Sequence, residues 1–134
     1  MASTKERRNV LVALAGLKIF KTLDFNTTAE VYLVINKIKW PMAGWWILKA
    51  DQSLNLGSGK SGRVIWEGIA LKGEKLVFKI AIKEYDSLGR DDTFVVHEEI
   101  YLVGDHSSNN KQLVELRNDR ILARFKFWDN ITPL

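Results

Sequence analysis

The run from Leu76 to Leu102, LVFKIAIKEYDSLGRDDTFVVHEEIYL, leaves few folds open to this chain. Leu76, Phe78, Ile80 and Ile82 alternate with Val77, Lys79, Ala81 and Lys83, the period-two signature of a half-buried strand. A second run follows, with Phe94, Val96, Ile100 and Leu102 expected on one face. Between the two lies a polar turn from Glu84 to Asp92. Its carboxylates sit where two strands end together, so they converge instead of spreading over a solvated face. Two carboxylates about 4 Å apart repel by about 4 kcal/mol in a surface-like dielectric. Distance, protonation, a basic partner or a hard cation such as calcium must relieve that repulsion.

The rest of the chain reads in the same strand language. Residues 1–8 are polar and form a basic tail. From Asn9 to Lys21 apolar residues fill both parities around Gly16, which predicts a long strand with a bulge there, or two short strands. Ala29 to Lys39 alternates cleanly and predicts one strand. Trp40 to Trp45 holds Pro41 and reads as a connection, followed by a short strand from Trp46 to Lys49. Asp51 to Gly62 is rich in Ser, Asn and Gly, hence a loop; Arg63 to Leu71 is a strand that turns through Lys72-Gly73-Glu74 into the organising hairpin. A last hairpin, Gln112–Leu116 with Arg120–Trp128, turns at Arg117-Asn118-Asp119. About eight short strands, regular turn signals and no helical period predict an antiparallel eight-stranded β-sandwich over residues 9–134, with no second domain and no repeat.

Composition narrows the chemistry. The 134 residues include no cysteine, which excludes disulfides and thiolate chemistry and suits a reducing, cytoplasmic setting. A net charge of +4 favours anionic partners weakly. No apolar run is long enough for a membrane-spanning helix. Lys5, Arg7 and Arg8 before Val10–Ala15 imitate a secretory signal, but the apolar segment is short and Lys18 and Lys21 follow at once. Gly57-Ser58-Gly59-Lys60-Ser61 resembles the end of a phosphate-binding loop, yet Leu54 stands where the first glycine belongs and a strand follows instead of a helix. His97 and His106 have no sequence partner, and neither a nucleophile elbow nor a His-Glu-x-x-His motif occurs, so no catalysis is expected. Trp66 and Trp128 lie in strand patterns and are read as core; Trp40, Trp45 and Trp46 cluster around the proline, either as a core plug or as a protein-contact patch.

The acidic turn is the sharpest chemical signal. Glu84, Asp86 and Asp92 stand in the spacing acid-x-acid-x5-acid on a loop between strand ends, and oxygen ligands so placed suit calcium. Asp24 and Glu30 belong to a second acidic turn that can reach the same end of a sandwich. Here the chain resembles the C2 domain, the β-sandwich module of protein kinase C, synaptotagmins and phospholipases. LVFKIAIKEYDSLGRDDTF is similar to that family's strand, Asp-x-Asp, glycine loop, Asp, strand pattern. LDFNTTAEVYLV resembles its first-loop stretch, and Arg63-Val64-Ile65-Trp66-Glu67 its Asn-Pro-x-Trp-Asn-Glu segment without the Asn-Pro. The resemblance implies that Asp24, Glu30, Glu84, Asp86 and Asp92 are calcium ligands, with Glu replacing Asp at Glu30 and Glu84 and weakening the site.

The function expected from that resemblance is binding to an anionic membrane surface or phospholipid, with calcium bridging the loop carboxylates. Phe25 and Leu88, at the tips of the acidic loops, would enter the interface. Lys37 and Lys39 would meet phosphates, or else form a solvated strand face. The alternative is a metal-free interaction or assembly module, with a protein partner or an oligomer joined through Trp40, Trp45 and Trp46. No nucleic-acid partner is expected.

Overall fold

A computed structural model describes residues 6–20, 28–54, 63–85, 89–104 and 112–131. Among these the chain is all strand and turn: β1 (Arg7–Ile19), β2 (Thr28–Ile35), β3 (Ile38–Trp40), β4 (Trp46–Lys49), β5 (Arg63–Leu71), β6 (Lys75–Glu84), β7 (Asp92–Leu102), β8 (Gln112–Arg117) and β9 (Ile121–Ile131). One sheet runs β5-β1-β9-β8 and the other β3-β2-β6-β7, with β4 also paired to β2. All the ladders are antiparallel. β3 and β4 occupy successive stretches of the β2 edge opposite β6. The expected sandwich is therefore found.

The described residues form nine strands because the single strand expected from Ala29 to Lys39 is a hairpin. Asn36 and Lys37 both take positive φ, 47° and 69°, the backbone that a two-residue hairpin turn requires. The Asn36 side chain fixes the turn by accepting from the Lys79 backbone N–H at 2.8 Å. Lys37 is thus a turn residue and does not share a strand face with Lys39.

Two bulges decide which residues face inward. In β1, Val10, Val12 and Leu14 point to the core, then Leu17 and Ile19 do, because the β9 register slips between Leu14 and Gly16. That slip explains why both parities are apolar, and it falls at the expected glycine. In β7 the register slips where Phe94 is passed over between Thr93 and Val95. Phe94 and Tyr101 are buried, whereas Val96 and Ile100 turn outward and stay 71% and 58% exposed. The expectation that Phe94, Val96 and Ile100 share a buried face is overturned by that one extra residue.

The core joins the sheets through aromatic edges. Trp66 of β5 meets Phe78 of β6 at 4.9 Å with ring planes at 82°. Phe78 meets Phe127 of β9 at 5.2 Å, and Phe127 meets Tyr101 of β7 at 6.2 Å. Each such pair is worth about 0.5–1.5 kcal/mol beyond its buried area. Gly68 makes room for the Trp66 ring, since a Cβ there would lie 2.6 Å from it. Trp128, expected in the core, lies on the outer side of the sheet, opposite Leu11, with Lys126 Nζ 5.9 Å from its ring centre.

A buried polar clamp ties the sheets together beside this cluster. The Asp129 side chain, 3% exposed, accepts from Arg8 Nε, from Tyr101 Oη and from Gly104 N at 3.1 Å. Arg8 also holds Glu6 at 2.7 Å. Burial pushes the Asp129 carboxyl up, but the hydrogen bonds from Tyr101, Gly104 and Arg8 prevail and hold it below the usual carboxylate range. Burial and the bond to Asp129 push the Tyr101 phenol well up.

Candidate functional site

The antiparallel ladders bring several chain segments to one end of the sandwich. Trp46, Val31, Glu84 and Asp92 share one register row across β4, β2, β6 and β7. One step further out, Tyr85 N donates to the Glu30 carbonyl at 2.8 Å, and Glu30 stands opposite Ile47. The β8–β9 turn arrives beside them, because Asn118 Nδ2 donates to the Phe94 carbonyl at 2.9 Å. β1 closes at this end too, where Phe20 N donates to the Arg120 carbonyl at 2.6 Å.

Strand parity sorts the carboxylates. Glu84 continues the inward row of Phe78, Ile80 and Ile82 and is 3% exposed. Glu30 lies on the opposite parity to Val31 and Leu33, facing outward with Tyr32; its Oε2 is buried and has no hydrogen-bond partner among the described residues. Asp92 is exposed across from Glu84. Asp91 accepts from the Tyr32 hydroxyl. Burial first, then Asp91, pushes the Tyr32 phenol up to about 12. Among the described residues no three of His, Cys, Asp and Glu come together to hold a metal ion. Asp24, Phe25, Asp86 and Leu88 lie outside the described residues, as does the glycine-rich run from Gly57 to Ser61.

The remaining candidates are spread over this half of the molecule. Lys37 is exposed in the β2–β3 turn. Lys39 donates to the Pro41 carbonyl at 2.8 Å and to the Gly44 carbonyl, and lies 5.2 Å from the Tyr32 ring centre, so its ammonium shapes the β3–β4 loop. Trp45 stacks on Tyr85 at 4.1 Å. Trp40 and Trp46 are partly buried against the core, and Trp40 Nε1 is buried with no acceptor among the described residues. Sequence reasoning missed Met42, 77% exposed at the tip of that loop. It also missed Tyr32–Asp91, whose partners lie 59 residues apart with no local signature. His97 meets Glu99 at 2.7 Å, and Glu99 accepts from Gln112 of β8, so this histidine has a partner that its sequence did not show.

Among the described residues no helix is long and apolar enough to cross a membrane. No protein-family model matches the chain, and no curated protein matches it. Solved structures of human GIVD cytosolic phospholipase A2 do. One matches with a TM-score of 0.61 at 12% identity, over 98% of this chain and 17% of that one. The same enzyme in complex with methyl gamma-linolenyl fluorophosphonate matches with a TM-score of 0.59 at 11% identity, over 96% and 18%. A third, with that inhibitor and terbium chloride, matches with a TM-score of 0.57 at 14% identity, over 98% and 18%. The chain spans less than a fifth of the length of these phospholipase chains, and what it shares with them is the fold of an antiparallel β-sandwich.

Proposed function

We propose that the chain is a C2-like module that docks on an anionic membrane surface with the end of the sandwich where β2, β6 and β7 meet. One observation carries the reading: the register row through Glu84 and Asp92, with Glu30 beside it, gathers the ends of separate segments at one pole. Glu30 supports it further, because a buried carboxylate oxygen without a hydrogen bond is costly unless a cation approaches. The fold likeness is to a cytosolic phospholipase A2, which has been solved with terbium chloride, a hard cation. Phe25 and Leu88, on the segments joining these strand ends, supply apolar contacts to the interface.

Calcium belongs to this reading through Asp24 and Asp86. The described carboxylates do not gather into a metal site, and Glu30 and Glu84 face opposite sides of their sheet. On this reading Asp24, Asp86 and Asp92 supply the shared ligands, joined by the glutamate on whichever face the ion occupies, and the ion would neutralise the pole so that it can approach lipid phosphates. Co-sedimentation with phosphatidylcholine vesicles, with and without phosphatidylserine, in calcium or in chelator, tests both parts. Binding to the anionic vesicles alone is expected, strengthened by calcium and lost from that increment in Asp86→Asn/Asp92→Asn. At a hundredfold excess over its dissociation constant calcium should stabilise the fold by about 2.7 kcal/mol. Equal and negligible sedimentation with every vesicle would end the membrane reading.

The second reading, a metal-free interaction module, is favoured by the outward Val96 and Ile100, the latter paired with the exposed Val77. It expects a concentration-dependent assembly and no response to vesicles or calcium.

A further inference from the structure

The bulge in β1 does more than switch core parity. Leu14 pairs with Phe125 and Gly16 with Arg124, so Ala15 has no place in the β9 ladder. Gly16 adds no side chain there, and a Cβ built on it would meet only Arg124 Cβ, at 4.0 Å. The result is a notch of about 250 Å³ whose lining includes Gly16, Leu17, Lys18, Ser53, Leu122 and Arg124. Lys18 pairs in register with Leu122, and Gly16 with Arg124, which makes the two cations diagonal neighbours across β1 and β9.

Neither cation is held in a buried ion pair: Lys18 lies against a ring, and Arg124 sits in an exposed pair. Lys18 Nζ and Arg117 Cζ lie 5.7 Å and 5.6 Å from the Phe20 ring centre, so one ring positions a cation from β1 and another from β8. Arg124 meets Glu115 at 3.4 Å, with side chains 62% and 48% exposed. A solvated pair of that length yields readily to a better anion.

We infer that this notch binds a phosphate monoester, the group presented by phosphatidate at a membrane surface or by glycerol 3-phosphate in solution. A dianionic monoester has three unsubstituted oxygens, enough to take the ammonium of Lys18 and the planar fork of Arg124 at once, with the Ser53 hydroxyl as a further donor. A carboxylate or a diester has fewer oxygens to share among them. Leu122, on the outward parity of β9, accepts the carbon end of the ligand. No residue of the acidic pole takes part, so this binding needs no calcium.

The test is a titration of the full chain with glycerol 3-phosphate in chelator, followed by amide chemical shifts. Shifts are expected to concentrate at Ala15–Lys18, Ser53–Leu54 and Leu122–Arg124. Lys18→Ala and Arg124→Ala should each weaken binding about tenfold or more, the loss expected for one charge-assisted contact. Gly16→Leu fills the notch while leaving every charge in place, and it should abolish binding in a chain whose spectrum shows it folded. Binding that survives Gly16→Leu, or no saturable binding at all, overturns the inference. Sedimentation with phosphatidylcholine vesicles carrying phosphatidate, in chelator, identifies the source: a Gly16→Leu-sensitive gain assigns the notch to membrane, and its absence beside binding of the free ester assigns it to a soluble phosphate. Calcium-dependent binding to phosphatidylserine with no response to either phosphate would overturn the notch and leave the proposed function standing. Binding of the free ester with no vesicle response of any kind would do the reverse.

Discussion

Replacing Asp129 with alanine is the sharpest test of how the two sheets are held. The carboxylate receives Tyr101 Oη and Gly104 N on one oxygen and Arg8 Nε on the other, all in a side chain 3% exposed. Alanine removes the acceptor that the Tyr101 hydroxyl and the Gly104 N–H share, while Arg8 retains Glu6. Removing one partner of a buried, hydrogen-bonded ion pair costs about 3–5 kcal/mol. For a domain of this size, roughly 3–5 °C of Tm per kcal/mol follows, so a fall of about 10–20 °C is expected by calorimetry. Because the folded carboxyl sits below its unfolded value of 3.8, its contribution is fully present above that pH and is lost as pH falls through the folded value. Urea denaturation at several pH values should therefore show a wild-type advantage that is constant near neutrality and closes in acid. A loss under about 1 kcal/mol at neutral pH, or a gap that does not narrow in acid, would refute the clamp.

Further expectations are independent of this one. The Tyr32 phenol, pushed up to about 12, stabilises the fold below the ordinary tyrosine range, and that stability is lost as pH rises through about 12; Tyr32→Phe should flatten this alkaline limb in a denaturation series. Trp45→Ala removes the stack on Tyr85 and should cost about 0.5–1.5 kcal/mol in urea unfolding, against the 3–5 kcal/mol of a core tryptophan. Gln112 Nε2 and Asn118 Nδ2 cap the β7 carbonyls of Ile100 and Phe94 from the β8 side; alanine at both should expose that edge, and light scattering should then report association that rises with concentration.

What the sequence reveals depends on whether a feature is written in a local period. The β6 alternation, the Gly16 bulge and the turn at Asn118 each lie within a few residues, and the structure follows them. The β2–β3 hairpin escaped because its turn is Asn36-Lys37, while the strong signal for that geometry is Asn-Gly. Alternation ran unbroken through Lys37 and concealed the reversal. At β7 the failure has the opposite cause: the alternation is genuine, but an extra residue at Phe94 shifts its phase. The Asp129 clamp has no local trace, since Arg8 lies 121 residues from its partner and meets it only when β1 pairs with β9.

The candidate sites share that illegibility for a physical reason. A regular ladder presents a filled, nearly flat surface, so concavities and converging charges arise where a ladder slips or ends. The notch on β1 exists because Ala15 is passed over and Gly16 is bare; the acidic pole exists because β6 ends at Glu84, β7 starts opposite it at Asp92, and the β2–β6 ladder ends at Val31 in the same row. Spacing along the sequence placed Glu84 beside Asp92, correctly, since one hairpin joins them. It could not show that Glu30 faces the other side of the sheet, because that depends on the phase of β2 against the core. A test of the pole therefore has to treat the two glutamates separately. Glu30→Gln should relieve a half-buried carboxylate whose Oε2 has no hydrogen bond among the described residues, and raise stability in chelator, measured by urea unfolding. If it instead lowers stability by more than about 1 kcal/mol, Glu30 is bonded in solution and its support for a cation at this pole is lost.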